Sequence, residues 1–491
     1  MPTIFKLHRS RIAFRCAVSI SCATWLMLAA TNASAQSTPS PAPVPAASGN
    51  STPAATSALP GWINPGSAPT SGWTNAIPPN TALGSWLLKP AGDPLDQGRI
   101  IFNSRLSNEY ASQMGLKQSD ALTLRTRVGY QTPSYAGFYG LGAFENTWSL
   151  DPRNYGNFPA PFNNGHAVIP DARNNQLNQL LLGFNGFNSN VTAGRQEINL
   201  DNQRFVGVSD WRQNETTYDA IRVQTTMLEN FWLSYTYNWN VNRIYGEYAP
   251  TSILNHFPSS NQFINIHYTG LPELGTFGGY LYHLNLGPGA TAARTTAAGT
   301  QTLSSDTVGV FLDGRYKFNQ DWSAVYRLEY ASQANNGASG PGVAFSENYW
   351  RATAGAAYQK YEAGFTFENL GGNGKQGFQT PLATLHPYDG WANDFLTTPA
   401  AGLRDYYGYF KASLPGAIDL EAQLHYFTAE HTDTTYGREA DIMLSHKINE
   451  NWTILGEAAF YDGNGHFPGT AATNPFSANI TKYWIRVTFS L

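Results

Sequence analysis

The 491-residue sequence is polar on average, with a mean hydropathy of −0.33, yet 14% of it is aromatic and 46 residues are glycine. A formal charge of −4 leaves no basic excess for nucleic acid, which is not expected as a partner. Both cysteines, Cys16 and Cys22, fall in the first 22 residues, so the remainder has no disulfide framework and no thiol metal site.

Lys6, Arg9, Arg11 and Arg15 precede an apolar run from Ala17 to Ala30, and Ala33-Ser34-Ala35 fits a small-residue cleavage pattern. Residues 1–35 therefore read as a secretory signal peptide, because the run is short of the ~20 apolar residues a spanning helix needs. Without those four basic residues the formal charge goes from −4 to −8. Residues 36–84 are largely Pro, Ala, Ser and Thr, too poor in apolar surface to fold, and read as a disordered periplasmic segment. A barrel domain is expected over 85–491.

From Arg99 onward the pattern has period two. Phe231, Leu233, Tyr235, Tyr237, Trp239 and Val241 share one face, with Ser234, Thr236, Asn238, Asn240 and Asn242 on the other. The same alternation recurs in about eighteen segments of roughly 8 to 14 residues, a length that suits tilted membrane strands. In order they are 99–111, 121–131, 136–148, 176–186, 190–198, 216–228, 231–244, 262–269 and 276–286. The second half adds 305–318, 321–333, 347–359, 361–370, 403–414, 417–428, 435–447, 451–461 and 479–491.

The connections discriminate between a soluble sandwich and a membrane barrel. Every second one is tight, as in Gly186–Asn190 or Pro415-Gly416-Ala417, and most of the others are long, including 149–175, 197–215, 245–261 and 371–402. Short turns at one end and long loops at the other are the periplasmic and extracellular ends of an outer-membrane barrel. The fold expected is all-β: a transmembrane antiparallel β-barrel of about 18 strands. An even strand count places both ends of the barrel in the periplasm. The last segment alternates Tyr483, Ile485, Val487 and Phe489 with Trp484, Arg486 and Thr488, the pattern of a closing strand, although it ends on Leu491 rather than an aromatic.

A barrel that wide has room for an aqueous bore, so function belongs to the inward face. Alternation points Arg125, Arg127, Arg315, Arg327 and Arg351 inward, along with Lys317 and Arg486 and carboxylates such as Asp313, Glu329, Glu362, Glu368, Glu439 and Glu457. Arginine presents a rigid fork of donors to carboxylate or phosphate, and the set suggests an anion path. One stretch concentrates charge further. Gly194 to Val223 carries Arg195, Gln196, Asp201, Arg204, Asp210, Trp211, Arg212, Glu215, Asp219 and Arg222, with 197–215 as the third long loop. Its mixed charges favour folding into the lumen, where they can pair with the wall.

That stretch resembles the signature segment of the bacterial alginate export family of outer-membrane barrels. The resemblance rests on Gly194-Arg195-Gln196, Arg204-Phe205 with Gly207, Trp211-Arg212-Gln213 and Tyr218-Asp219-Ala220-Ile221-Arg222. It implies an eighteen-stranded channel of the bacterial outer membrane whose arginine-lined constriction attracts uronate carboxylates. Arg195, Arg204, Arg212 and Arg222 would belong to the electropositive path, and Asp219 would position or gate it. The partners implied are the lipid bilayer, an anionic polysaccharide such as alginate, and periplasmic export partners. The alternative is a substrate-selective uptake porin for small anions or sugars.

Other chemistry is set aside. Gly371-Gly372-Asn373-Gly374-Lys375-Gln376 lacks the strand-loop-helix setting and the Ser/Thr of a phosphate loop, and reads as a flexible external loop. The ten histidines show no metal-ligand spacing and no Ser-His pairing is recognisable, so neither a cofactor nor an enzyme is expected.

Overall fold

The computed structural model describes residues 98–287, 295–296, 299–339, 344–463 and 476–491. The expected signal peptide and Pro-rich segment lie outside the described residues. The first strands are β1 (Arg99–Gln113), β2 (Ser119–Gln131), β3 (Phe138–Ser149), β4 (Asn174–Gly186), β5 (Ser189–Gln196) and β6 (Thr217–Thr225). They are followed by β7 (Phe231–Asn242), β8 (His256–Tyr268), β9 (Thr276–Leu284) and a two-residue ladder, β10 (Thr295–Thr296) with β11 (Gly299–Thr300). Next come β12 (Ser305–Lys317), β13 (Trp322–Ala334), β14 (Ser346–Tyr358), β15 (Tyr361–Leu370) and β16 (Leu403–Leu414). The last are β17 (Ile418–Thr428), β18 (Thr435–Lys447), β19 (Trp452–Gly463) and β20 (Ile480–Ser490).

Apart from the small ladder, these make one 18-stranded antiparallel sheet in which each strand pairs with its sequence neighbours. Strand β1 bonds to β2 on one side and to β20 on the other, with Leu106 opposite both Leu124 and Val487. The sheet therefore closes on itself and leaves no strand at a free edge, as hydrocarbon demands of any backbone that crosses it. Leu180, Leu182, Val308, Val310, Leu328, Trp350 and Leu424 are exposed on its outside, while the polar side chains alternating with them are buried in the bore. All eighteen expected strands are present. The largest departure is β8, which begins at His256 rather than 262, because Pro258-Ser259-Ser260 hides the alternation where the pairing with β7 shifts.

That shift also moves one side chain across the wall. The sequence groups Val241 with the outward Trp239, but the register slips between Asn238 and Asn240. An extra residue in one strand reverses the facing beyond it. Val241 is consequently fully buried inside, and Asn240 and Asn242 turn to the other face.

The short connections, such as 187–188, 359–360 and 415–417, turn on left-handed residues including Asn188, Gln359 and Ala417. Two long connections at the opposite end, 197–216 and 371–402, fold back into the bore. Val206 and Leu382 form a parallel bridge between them, and the Gly207 amide donates to the Leu382 carbonyl at 2.8 Å. Phe205 of the first loop packs on Tyr280 at 5.1 Å, Tyr349 at 5.3 Å and Phe378 at 5.9 Å between ring centroids. Phe395 of the second packs on Phe427 and Phe476, each at 4.7 Å. Each such pair adds about 0.5–1.5 kcal/mol beyond area burial. The hydrophobic core thus lies inside the barrel. The glycine-rich start of 371–402 is not the external loop the sequence suggests: the Gln376 side chain is buried and donates to the carbonyls of Thr302 and Gly377.

Candidate functional site: the charged bore

The stretch Gly194–Val223 enters the bore because of how β5 ends. Gly194 sits opposite Leu181 with φ +127°, and a Cβ there would lie 2.2 Å from the Leu180 carbonyl oxygen, so only glycine fits. Gln196, Tyr218 and Val241 are mutual neighbours on the inward face. Gln196 is buried, accepts from the Thr192 hydroxyl at 2.6 Å and donates to the Ala220 carbonyl at 3.0 Å. Arg195 and Asp219 alternate with these residues and take the other face, level with exposed Leu180 and Ile221. They form a two-pronged pair, Nε to Oδ1 at 2.7 Å and Nη2 to Oδ2 at 3.1 Å, which Asn240 and Asn242 complete by donating to the same carboxylate. The sequence treats Arg195 and Gln196 as one motif, whereas the pleat sends them to opposite sides of the wall.

Beyond Gln196 the chain turns inward, and the loop charges meet partners far along the sequence. Arg204 is fully buried between Glu368 of β15 at 2.6 Å and Asp389 of the second loop at 2.8 Å. Burial pushes the Asp389 carboxyl up to about 7 in spite of Arg204, which makes it the readily protonated member of the group. Asp201 accepts from Asn265 and Tyr282 and meets the His267 imidazole at 2.5 Å. Arg212 pairs with Glu109 of β1 at 2.7 Å. Trp211 lies between two partners: the His386 ring stacks on it at 3.9 Å and the Arg486 guanidinium sits 3.7 Å from its centroid. Arg105, opposite Arg125 in the β1–β2 register, donates to the carbonyls of Asp210 at 2.6 Å and of Trp211 and Arg212 at longer range.

The strand arginines that alternation assigns inward, Arg125, Arg127, Arg315, Arg327 and Arg351, face the bore. Most of them are paired. Arg127 meets Glu145 at 2.6 Å, Glu215 at 3.0 Å and Glu197 at 3.5 Å. Arg315 bonds Glu362, Arg327 bonds Asp313 and Glu329, and Arg351 bonds Glu368 and the Tyr407 hydroxyl. Four others have no carboxylate within ion-pair distance among the described residues: Arg105, Arg125, Arg222 and Arg486. Arg125 is 2% exposed; among the described residues its one hydrogen bond goes from Nη2 to the Asn103 side chain, leaving Nε and Nη1 without a partner. Among the same residues Arg222 reaches the Ser234 hydroxyl alone, at 3.4 Å.

Sequence reasoning missed the opposite side of the bore. Loop 371–402 brings His386, Asp389, Trp391 and Asp394 against β18 and β19. The amides of Trp391 and Ala392 donate to Asp441 and Glu439, and His386 bonds Glu457 at 2.9 Å. Burial pushes the Asp394 carboxyl up to about 7, with Glu439 adding to the shift and Lys482 opposing it, and drives the His386 pKa well down. One signal was available: an external loop has no reason to carry Phe378, Leu382, Trp391 and Phe395.

A family model described as alginate export matches residues 149–241, which spans β4 to β7 and the inward loop between β5 and β6. Over those residues the chain is similar to the alginate export family, and its closed 18-stranded wall is that of a bacterial outer-membrane β-barrel. Solved structures share the fold at low identity. OccAB4 of Acinetobacter baumannii superposes with a TM-score of 0.58 at 12% identity, over 81% of this chain and 100% of that one. OccK2 (OpdF) of Pseudomonas aeruginosa gives 0.57 at 13%, over 80% and 97%. OpdK of the same organism, in a crystal structure with vanillate, gives 0.57 at 12%, over 80% and 98%. No curated protein matches the sequence. The matched family and the similar structures are outer-membrane channels and porins, and together they support an outer-membrane channel.

Proposed function

We propose that this channel passes carboxylate-bearing solutes, with acidic saccharides of the alginate type as cargo. The carrying observation is Arg125 and Arg222, which face the bore with no carboxylate partner among the described residues and with guanidinium donors that neither loop occupies. A guanidinium with open donors favours an anion, and a solute carboxylate supplies the two acceptor oxygens its fork fits. Stations of this kind, each weak, suit a conducting pore, which must release what it binds. The family match supports uronates as the sugar.

A second reading is uptake of small organic acids. Two loops joined across the bore favour it, because a polymer needs more clearance than a single small carboxylate. The fold shared with OpdK, solved with the aromatic carboxylate vanillate, points the same way.

Planar-bilayer recording tests both. The wild-type reversal potential in a salt gradient should report preference for anions, and Arg125→Gln with Arg222→Gln should cut the anion-to-cation permeability ratio several-fold. Cation preference in the wild type would sink the carboxylate reading. Block of the current by oligouronates that strengthens with chain length supports the saccharide cargo, and block by vanillate alone supports the small acid.

A further inference from the structure

The barrel wall has a notch at its extracellular end. Strand β4 runs from Asn174, but its pairing with β5 starts only at Leu180, opposite Arg195. Residues Asn174–Gln179 therefore keep β3 on one side and take no strand partner on the other among the described residues. The cause is the inward turn after Gln196, which removes from the wall the residues that would have continued β5. Arg195 caps one bare carbonyl, that of Leu177, at 3.2 Å, and the loop 243–255 closes over the gap, with the Glu247 amide donating to the Asn174 side chain at 3.0 Å.

A cavity of about 270 Å³ occupies this notch, lined by Gln176, Arg195, Asn240, Asn242, Glu247, Asn255 and His256. The lining divides into a fixed floor and a free rim. On the floor, Arg195, Asn240 and Asn242 are tied to Asp219, and Gln176 donates to Glu145 at 2.9 Å. On the rim, the side chains of Glu247, Asn255 and His256 make no hydrogen bond among the described residues. Asn240 directs its N–H groups to Asp219 and Asn242, and Asn242 directs its own to Asp219 and the Thr217 carbonyl. The floor therefore offers carboxamide oxygens and one Gln176 N–H. The rim adds the Asn255 amide, one carboxylate and one imidazole, a set matched mainly to hydroxyl donors. The volume, just under the usual ~300 Å³ lower bound for ligand pockets, suits one sugar ring. The charge separates this cavity from the bore. Arg195 is neutralised by Asp219, and Glu247 adds an unpaired negative charge that opposes an acidic sugar.

We infer that this notch is a binding site for a neutral hexose unit, outside the conduction path and independent of the cargo proposed for the bore. The floor presents fixed carboxamide oxygens to the ring hydroxyls, and Glu247 accepts from a vicinal diol at the rim.

The test uses the full chain in detergent and saturation-transfer NMR with glucose, galactose and mannose, with galacturonate as the acidic counterpart. Saturable binding of at least one neutral hexose is expected, weakened roughly tenfold or more by Glu247→Ala with Asn255→Ala. Galacturonate should not compete. Because these two rim side chains hold nothing else, the variant should keep its heat-resistant gel mobility, and His256→Ala gives a second rim variant should it not. No saturable hexose binding, binding untouched by the rim variants, or tighter binding of galacturonate would each overturn the inference. The bore's ion selectivity, measured on the same variants, should stay at the wild-type value, so failure here and failure of the carboxylate reading are told apart.

Discussion

The two sides of the bore hold their loops by opposite chemistry. On the β1–β2–β20 side the wall is basic, and Arg105 grips loop 197–216 through the carbonyls of Asp210, Trp211 and Arg212. On the β18–β19 side the wall is acidic, and Glu439 and Asp441 grip loop 371–402 through the amides of Ala392 and Trp391. Backbone carbonyls answer the cations and backbone N–H groups answer the anions, so neither loop needs a matching side-chain charge at these points. Wall charge therefore cannot be read simply as a lining for solutes. Part of it is structural, and only groups left over, such as Arg125, are free to meet a passing anion.

The contrast can be broken most severely where the two loops meet. Arg204→Ala would leave Glu368 and Asp389 facing each other in a dry site, and losing one partner of a buried ion group costs about 3–5 kcal/mol. A lower thermal midpoint in detergent and a larger, noisier single-channel current are expected, and an unchanged current would show that the loops do not depend on this junction. A smaller effect should come from pH on the acidic side alone. The folded Asp394 carboxyl titrates near 7, above its ordinary range, so its protonated form favours the docked loop. That contribution is fully present below the ordinary carboxylate range and is lost as pH rises through about 7. Channel current should accordingly rise between about pH 5 and about pH 8, and Asp394→Asn should reduce the step, Asp389 of the same loop, also raised to about 7, supplying the remainder. The smallest effect belongs to a pair on neither wall. Arg195 and Asp219 are 27% and 16% exposed on the outward face, so Arg195→Gln should cost only about 0–1 kcal/mol and leave ion selectivity at the wild-type value. A selectivity change there would place Arg195 in the conduction path after all.

The strands were legible because a lipid-facing and water-facing wall forces strict alternation, and the same alternation placed Arg125, Arg127, Arg315, Arg327 and Arg351 inside. Two kinds of information were not legible. Trp239 reads as an ordinary member of a strand, and only the partner strands reveal it as the unpaired residue between Asn238 and Asn240. The partners of Arg204, Glu368 and Asp389, lie 164 and 185 residues away, a separation at which no local pattern survives. The charge cluster itself was visible, but whether its members would line the path or lock the loop depended on those distant carboxylates.

One arrangement inside the bore bears on how the barrel resists being pulled open. The seam between β1 and β20 joins residues nearly four hundred positions apart, as in Asn103 to Ser490, and is closed by one backbone ladder with the side chains that cross it. Loop 197–216 lies across this line on the inside, with its carbonyls and Arg212 on β1 and Trp211 under Arg486 of β20. It acts as a clasp. Parting the two strands sideways would break the loop's contacts with at least one of them, so the loop adds to the ladder a second tie across the seam.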